Sequence, residues 1–231
     1  MWTLLPLPLL FLTFALLIRA EERAPKDERQ IWIWKPLSTC LIILTCVLSF
    51  TSDAYDAPYT LLVAAGLTFS LAGDVLLIPP DNPKAFLGGL VAFLLAHGVY
   101  ITAFVYLQIS LELERNFGGE IIAAVMLALV GAAVYAYLRP GLGAMRGPVI
   151  AYIVVISAMV HRALAVALAY TGSATQPALI VLGALLFYLS DAILAINKFR
   201  LQGRMPHYRL WNLSTYYSGQ LLIALSASFF A

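Results

Sequence analysis

Two carboxylates stand where carboxylates are expensive. Asp74 and Asp191 lie inside long apolar runs, whereas the other ten of the twelve Asp and Glu residues fall in loops or at helix ends. A charge at the centre of a bilayer costs about 2.5–3.5 kcal/mol on insertion scales, so such residues face a partner or a wet cavity and point to function. A pair of acids offers proton transfer, because two carboxyls in one apolar site resist ionising together and divide into a donor and a base. The plainer reading is that each acid hydrogen-bonds to a neighbouring helix and holds the bundle together.

Other polar residues interrupt apolar runs at helical spacing. Ser70 precedes Asp74 by four positions and Lys198 follows Asp191 by seven, so each acid has a polar neighbour on its own stripe. Asn212, Tyr216 and Gln220 recur at every fourth position, a hydrogen-bonding stripe that lipid cannot satisfy. His97 and Tyr100 lie three apart, and His161 and Arg162 break a run near the expected bilayer middle. Arg162 there demands a carboxylate or phosphate partner. The plainer alternatives are packed interhelical histidines for His97 and His161, and interfacial belt residues for Tyr208 and Trp211. Asn212, Leu213 and Ser214 form a glycosylation sequon, which the expected cytoplasmic side makes idle.

The elements that position these side chains must be membrane helices. The 231 residues are 62% hydrophobic and 11% charged, with a mean hydropathy of +0.89. Soluble domains average about 45–50% apolar and about 25% charged. A bilayer core needs about 20 apolar residues per helical span, and apolar runs occur at roughly 2–19, 34–51, 58–79, 84–108, 119–138, 147–170, 176–198 and 210–230. The expected fold is therefore all-α, a polytopic membrane protein of about eight transmembrane helices forming a single domain over 1–231. The first run could also be read as a signal peptide, but no basic residue precedes it and a charged segment follows it.

Alternating spans put twelve of the fourteen basic residues on one face, from Arg19, Arg23, Lys26, Arg29 and Lys35 to Lys198, Arg200, Arg204 and Arg209. The positive-inside rule assigns that face to the cytoplasm and both termini to the other side. Cys40 and Cys46 are too few for a disulfide framework. The three histidines, His97, His161 and His207, fall at different depths, so no metal centre and no cofactor are expected. Nothing suggests nucleic-acid binding, and the partners to expect are membrane lipids. Gly66–Leu77 aligns with Gly183–Leu194 at an offset of 117, which superimposes Asp74 on Asp191 and Tyr100 on Tyr217. That suggests a parallel repeat of two four-helix halves.

The segments GLTFSLAGDVLL, AFLGGLVAFLLAHGVYITAF, PVIAYIVVISAMVHRAL, LFYLSDAILAINKF and STYYSGQLLIALSA together resemble the YhhN-like lysoplasmalogenase family of membrane hydrolases. The resemblance covers the third to eighth spans; the first two match only in hydrophobicity and position, and His161 stands where relatives carry tryptophan. It implies hydrolysis of the vinyl ether of a lysoplasmalogen to a fatty aldehyde and a glycerophosphoethanolamine or glycerophosphocholine. Asp74 and Asp191 carry over as the acid/base pair, with His97, Tyr100, Arg162, Ser190, Tyr216 and Gln220 shaping the site.

A vinyl ether yields to acid, not base: protonation of its outer carbon gives an oxocarbenium ion that water captures. We expect Asp191 to protonate carbon and Asp74 to stabilise the cation and activate water. Arg162, or Lys198, Arg200 and Arg204 at the cytoplasmic mouth, would meet the lipid phosphate. A proton-coupled small-molecule or lipid transporter could use the same two acids, but would call for discontinuous helices. The chain offers Pro79 and Pro80 at a helix end and few Gly or Pro breaks within the spans.

Overall fold

Asparagine and aspartate open four of the helices in the computed structural model, which describes residues 2–23, 26–79 and 82–230. Pro80 lies outside the described residues. Asp27 caps α2 (Glu28–Val47), Asp56 caps α3 (Ala57–Leu76), Asn82 caps α4 (Pro83–Ser110) and Asn116 caps α5 (Phe117–Leu138), each accepting a first-turn backbone N–H. The remaining helices are α1 (Leu7–Glu22), α6 (Arg146–Ala169), α7 (Thr175–Ala195) and α8 (Tyr208–Ser226). Among the described residues there is no strand.

The helix starting at Asp27 changes the expected picture most. The sequence places this span at roughly 34–51, but the cap on Gln30 N starts the helix at Glu28. Lys35 therefore sits two turns inside α2 and is buried, instead of emerging at the basic face.

Seven helical segments are long and apolar enough to cross a membrane, among the described residues. The 19-residue α8 is not one of them. Its Asn212, Tyr216 and Gln220 are buried against neighbouring helices, chiefly α7, α2, α1 and α3. The α7–α8 contact runs the whole length of the pair. Gln176 Nε2 donates to the Ser226 carbonyl near one end, Ser190 and Asn212 bond near the other, and Gly183 faces Gly219 between them. A Cβ on Gly219 would lie 2.8 Å from the Gly183 carbonyl oxygen and 3.0 Å from Phe187 N, so the two backbones touch.

Neighbouring helices pair as α1–α2, α2–α3, α3–α4, α4–α6 and α6–α7, with α5 packed on the outside of α6. The helices stay continuous, and the departure that matters to the site is a π-helical turn at Ile196–Arg200, directly after α7. It is held by Leu201 N to the Ile196 carbonyl and by Met205 N to Asn197 Oδ1. The transporter reading's discontinuous helices are not among the described residues.

Candidate functional site

Asp74 and Asp191 lie within about one turn of the ends of α3 and α7. Both line a single cavity of about 400 Å³ at the basic end of the bundle. Lys35, Phe93, Ser190, Lys198, Arg209, Asn212 and Tyr216 line it too.

The environment of Asp74 is closed. The residue is 2% exposed, and its Oδ2 accepts hydrogen bonds from Thr39 Oγ1 at 2.5 Å and Tyr216 Oη at 2.7 Å. Lys35 Nζ stands 3.5 Å from Oδ1 and donates to the Asp74 carbonyl at 3.1 Å. A buried ion pair survives only if its remaining polar atoms are satisfied, which the two hydroxyls achieve. Tyr217 Oη donates to the Lys35 carbonyl at 3.0 Å, tying α8 to the same turn of α2.

The environment of Asp191 is more open. Its side chain is 16% exposed, and Oδ2 accepts from Tyr152 Oη at 2.6 Å. His97 Nε2 lies 3.6 Å from the same oxygen, beyond hydrogen-bonding reach. The imidazole is fully buried, with centroids 4.6 Å from the Phe187 ring and 5.4 Å from Tyr152. Neither of its nitrogens has a partner among the described residues. Phe93 lines the cavity with both acids and packs on Tyr216 and Phe187 at 5.8 and 6.0 Å.

Other expected site residues fall into different places. Tyr216 and Ser190 reach the cavity, the latter tied to Asn212 through the 2.9 Å bond from Asn212 Nδ2 to Ser190 Oγ. Lys198 reaches it from the π-helical turn, its Nζ 4.1 Å from the centre of the Phe86 ring. Ser70, Tyr100 and Gln220 lie beneath and do not line it. Tyr100 Oη donates to Gln220 Oε1 at 2.7 Å, and Gln220 Nε2 donates to Ser70 Oγ at 2.9 Å. The Tyr100 ring rests on Gly66, where a Cβ would come within 2.5 Å of it. These three polar groups satisfy one another in a fully buried layer.

Arg162 is not brought to the cavity at all. It lies two turns before the opposite end of α6, where Nη2 donates to Glu120 Oε2 at 2.8 Å. Glu120 also receives Arg115, and the His161 ring bonds the Glu120 carbonyl at 3.0 Å. The carboxylate partner that Arg162 demanded is thus the first-turn glutamate of α5, and the arginine is correspondingly distant from both aspartates. Outside the spans, hydrogen bonding to Glu120 raises the Arg115 guanidinium above its ordinary pKa.

Sequence reasoning missed Lys35, Thr39 and Tyr152. A signal for two of them was present: the offset of 117 that superimposes Asp74 on Asp191 also superimposes Lys35 on Tyr152, and each precedes its acid by 39 positions. Among the described residues no group of three or more His, Cys, Asp or Glu side chains is arranged to hold a metal.

The profile of the YhhN family matches residues 30–227. Human "Lysoplasmalogenase TMEM86B" is 36% identical over 203 residues, which are 87% of this chain and 78% of that protein. Bovine "Lysoplasmalogenase TMEM86A" is 34% identical over 168 residues, 71% of this chain and 64% of that protein. The "Lysoplasmalogenase" of Mycobacterium tuberculosis is 34% identical over 166 residues, 71% of this chain and 58% of that protein. No solved structure matches the chain.

Proposed function

Because the chain belongs to the YhhN family, we propose that it hydrolyses the vinyl ether of a lysoplasmalogen, releasing a fatty aldehyde and a glycerophosphoethanolamine or glycerophosphocholine. The relatives' names state lysoplasmalogenase for those proteins. The observation that carries the mechanism is an asymmetry between two acids in one cavity. Asp74 faces an ammonium and two hydroxyls, whereas Asp191 accepts one phenol and borders open space. A carboxylate so surrounded suits the charged partner, and a less satisfied, partly open carboxyl suits the proton donor.

In the proposed cycle Asp191 delivers its proton to the outer carbon of the double bond, leaving an oxocarbenium ion at the carbon next to oxygen. The Asp74 carboxylate and the Phe93 ring, both on the cavity wall, stabilise that cation. Water from the cavity adds to the cationic carbon and gives its proton to Asp74. The hemiacetal then collapses: its hydroxyl proton goes to Asp191, the bond to the glycerol oxygen breaks, and that oxygen takes the proton from Asp74. Both acids return to their starting forms. Lys198, which pairs with no carboxylate among the described residues, and Arg209, shared with Glu21 at 3.1 Å, lie at the mouth to meet the phosphate.

The test is aldehyde release from detergent-purified protein offered matched lysoplasmalogen and saturated-ether lysolipids, since only the former can be protonated and hydrated. The wild type releases aldehyde from the vinyl ether alone, and Asp191→Asn lowers that rate by about 10²–10⁴-fold with thermal unfolding unchanged. Near-normal turnover in Asp191→Asn removes that residue from the chemistry, and no aldehyde from the wild type overturns the reading.

A further inference from the structure

Asp191 belongs to two spaces at once. On one side is the polar cavity with its cations. On the other is a narrow slot between α4, α5, α6 and α7, walled by Leu90, Leu138, Val149, Ile153 and Phe199. Leu77, Phe93, Asp191 and Leu194 line both, so the carboxyl stands on the boundary between a polar and an apolar chamber. The slot shares one wall residue with a further space. Ile153 also lines a third space, an open groove of about 600 Å³ between α5 and α6. Gly131 lets α5 pack closely on that shared wall: a Cβ there would lie 2.9 Å from Ile153 Cγ2 and 3.9 Å from Tyr188 Oη. The groove's less exposed lining mixes Gly131, Ser157 and Ala158 with Leu127 and Ile153, and its rim, including Ala124, Ala128 and Val154, is exposed on the outside of the bundle.

We infer that slot and groove hold the hydrocarbon chain of the amphiphile whose polar end occupies the cavity, and that the groove is where this chain enters sideways from the bilayer. The inference rests on the proposed lysolipid substrate and adds where its chain lies. A molecule with one charged end and one apolar end has a single place where the two meet, and in a lysoplasmalogen that place is the vinyl ether. Among the described residues, the carboxyl shared by the charged chamber and the apolar one is that of Asp191. Moving a chain from lipid into an apolar groove changes its surroundings little, so the groove contributes alignment of the double bond beside Asp191 more than affinity.

The outer position of α5 fits this use. Only a small share of α5 is buried, its strongest packing is on α6, and its outer face is a band of large apolar side chains such as Ile122, Val125 and Leu129. The lateral opening is thus formed between the bundle's most peripheral helix and its nearest neighbour.

The experiment is photolabelling of the purified full-length protein with a saturated-ether lysophosphocholine carrying a diazirine at mid-chain, which binds without being cleaved, followed by mass-spectrometric mapping. Labels are expected on residues 124–135 and 150–158. Ala128→Trp, which fills the groove from its exposed rim, should remove them and raise KM about tenfold for long-chain vinyl ethers. A short-chain vinyl ether that ends within the slot should be turned over within about twofold of wild type. Ala124→Trp, also exposed, should act in the same way. Labels scattered over the outside of the bundle without preference for α5 and α6, or equal effects on short and long chains, overturn the inference. Groove labelling without aldehyde release sinks the proposed reaction and supports the chain site; aldehyde release with labelling elsewhere does the reverse.

Discussion

Lys35→Met removes the ammonium that faces Asp74 while keeping a side chain of similar length in α2. The pair is separated by 3.5 Å, with Lys35 5% and Asp74 2% exposed. At an effective dielectric of about 20, two unit charges at that distance attract by about 5 kcal/mol. Breaking one side of a buried pair costs about 3–5 kcal/mol in practice, because the remaining charge is left without compensation. Thr39 and Tyr216 still bond Asp74 in the variant and hold the loss toward the lower part of that range. Replacing both members, Lys35→Met with Asp74→Asn, leaves no buried charge and an amide that both hydroxyls can still reach. The double variant should recover most of the lost stability, with a coupling energy near 3 kcal/mol, yet show no aldehyde release. The assay is thermal and denaturant unfolding of the four proteins in one detergent, beside turnover of a lysoplasmalogen. A single variant as stable as wild type, or a double variant whose losses simply add, refutes the ion pair as the reason Lys35 is buried. A double variant that keeps turnover refutes the role of Asp74.

Two further outcomes test the packing and the division between the bundle's ends. Gly219→Ala places a methyl 2.8 Å from the Gly183 carbonyl and should lower stability by about 1–3 kcal/mol; unchanged thermal unfolding would mean that α7 and α8 are not in backbone contact. Arg162→Ala should destabilise the protein by only about 1–2 kcal/mol, because Glu120 loses one charged hydrogen bond and keeps Arg115, while leaving KM for the lysolipid unchanged. A raised KM with unaltered stability would place Arg162 at the substrate after all.

The helices were legible because lipid imposes one simple demand, about 20 apolar residues per crossing, and most expected spans lie within a few residues of the observed helices. Lys35 shows where that demand stops being informative. A lysine near the end of an apolar run reads as an interfacial charge, and only the Asp27 cap, which extends α2 backwards, turns it into a core residue. Arg162 is the converse case. Its need for a carboxylate was readable, but position along a helix does not say which neighbour supplies one, and Glu120 in a first helical turn looked like a surface acid. Asp74 and Asp191 stood out because they alone among the carboxylates interrupt apolar runs, while Tyr152 and Thr39 did not stand out among many membrane tyrosines and threonines.

The polar stripe on α8 bears on how the protein is made. Emerging from the ribosome alone, a segment carrying Asn212, Tyr216 and Gln220 would partition poorly into hydrocarbon, since none of these groups finds a partner there. Its acceptors are already waiting on earlier segments: Ser70 on α3, Asp74 beside it, Ser190 on α7. Insertion of α8 is therefore coupled to tertiary assembly, so a lesion at Ser190 or Gly183 should surface as a topology defect during biogenesis before it is ever seen as a loss of chemistry.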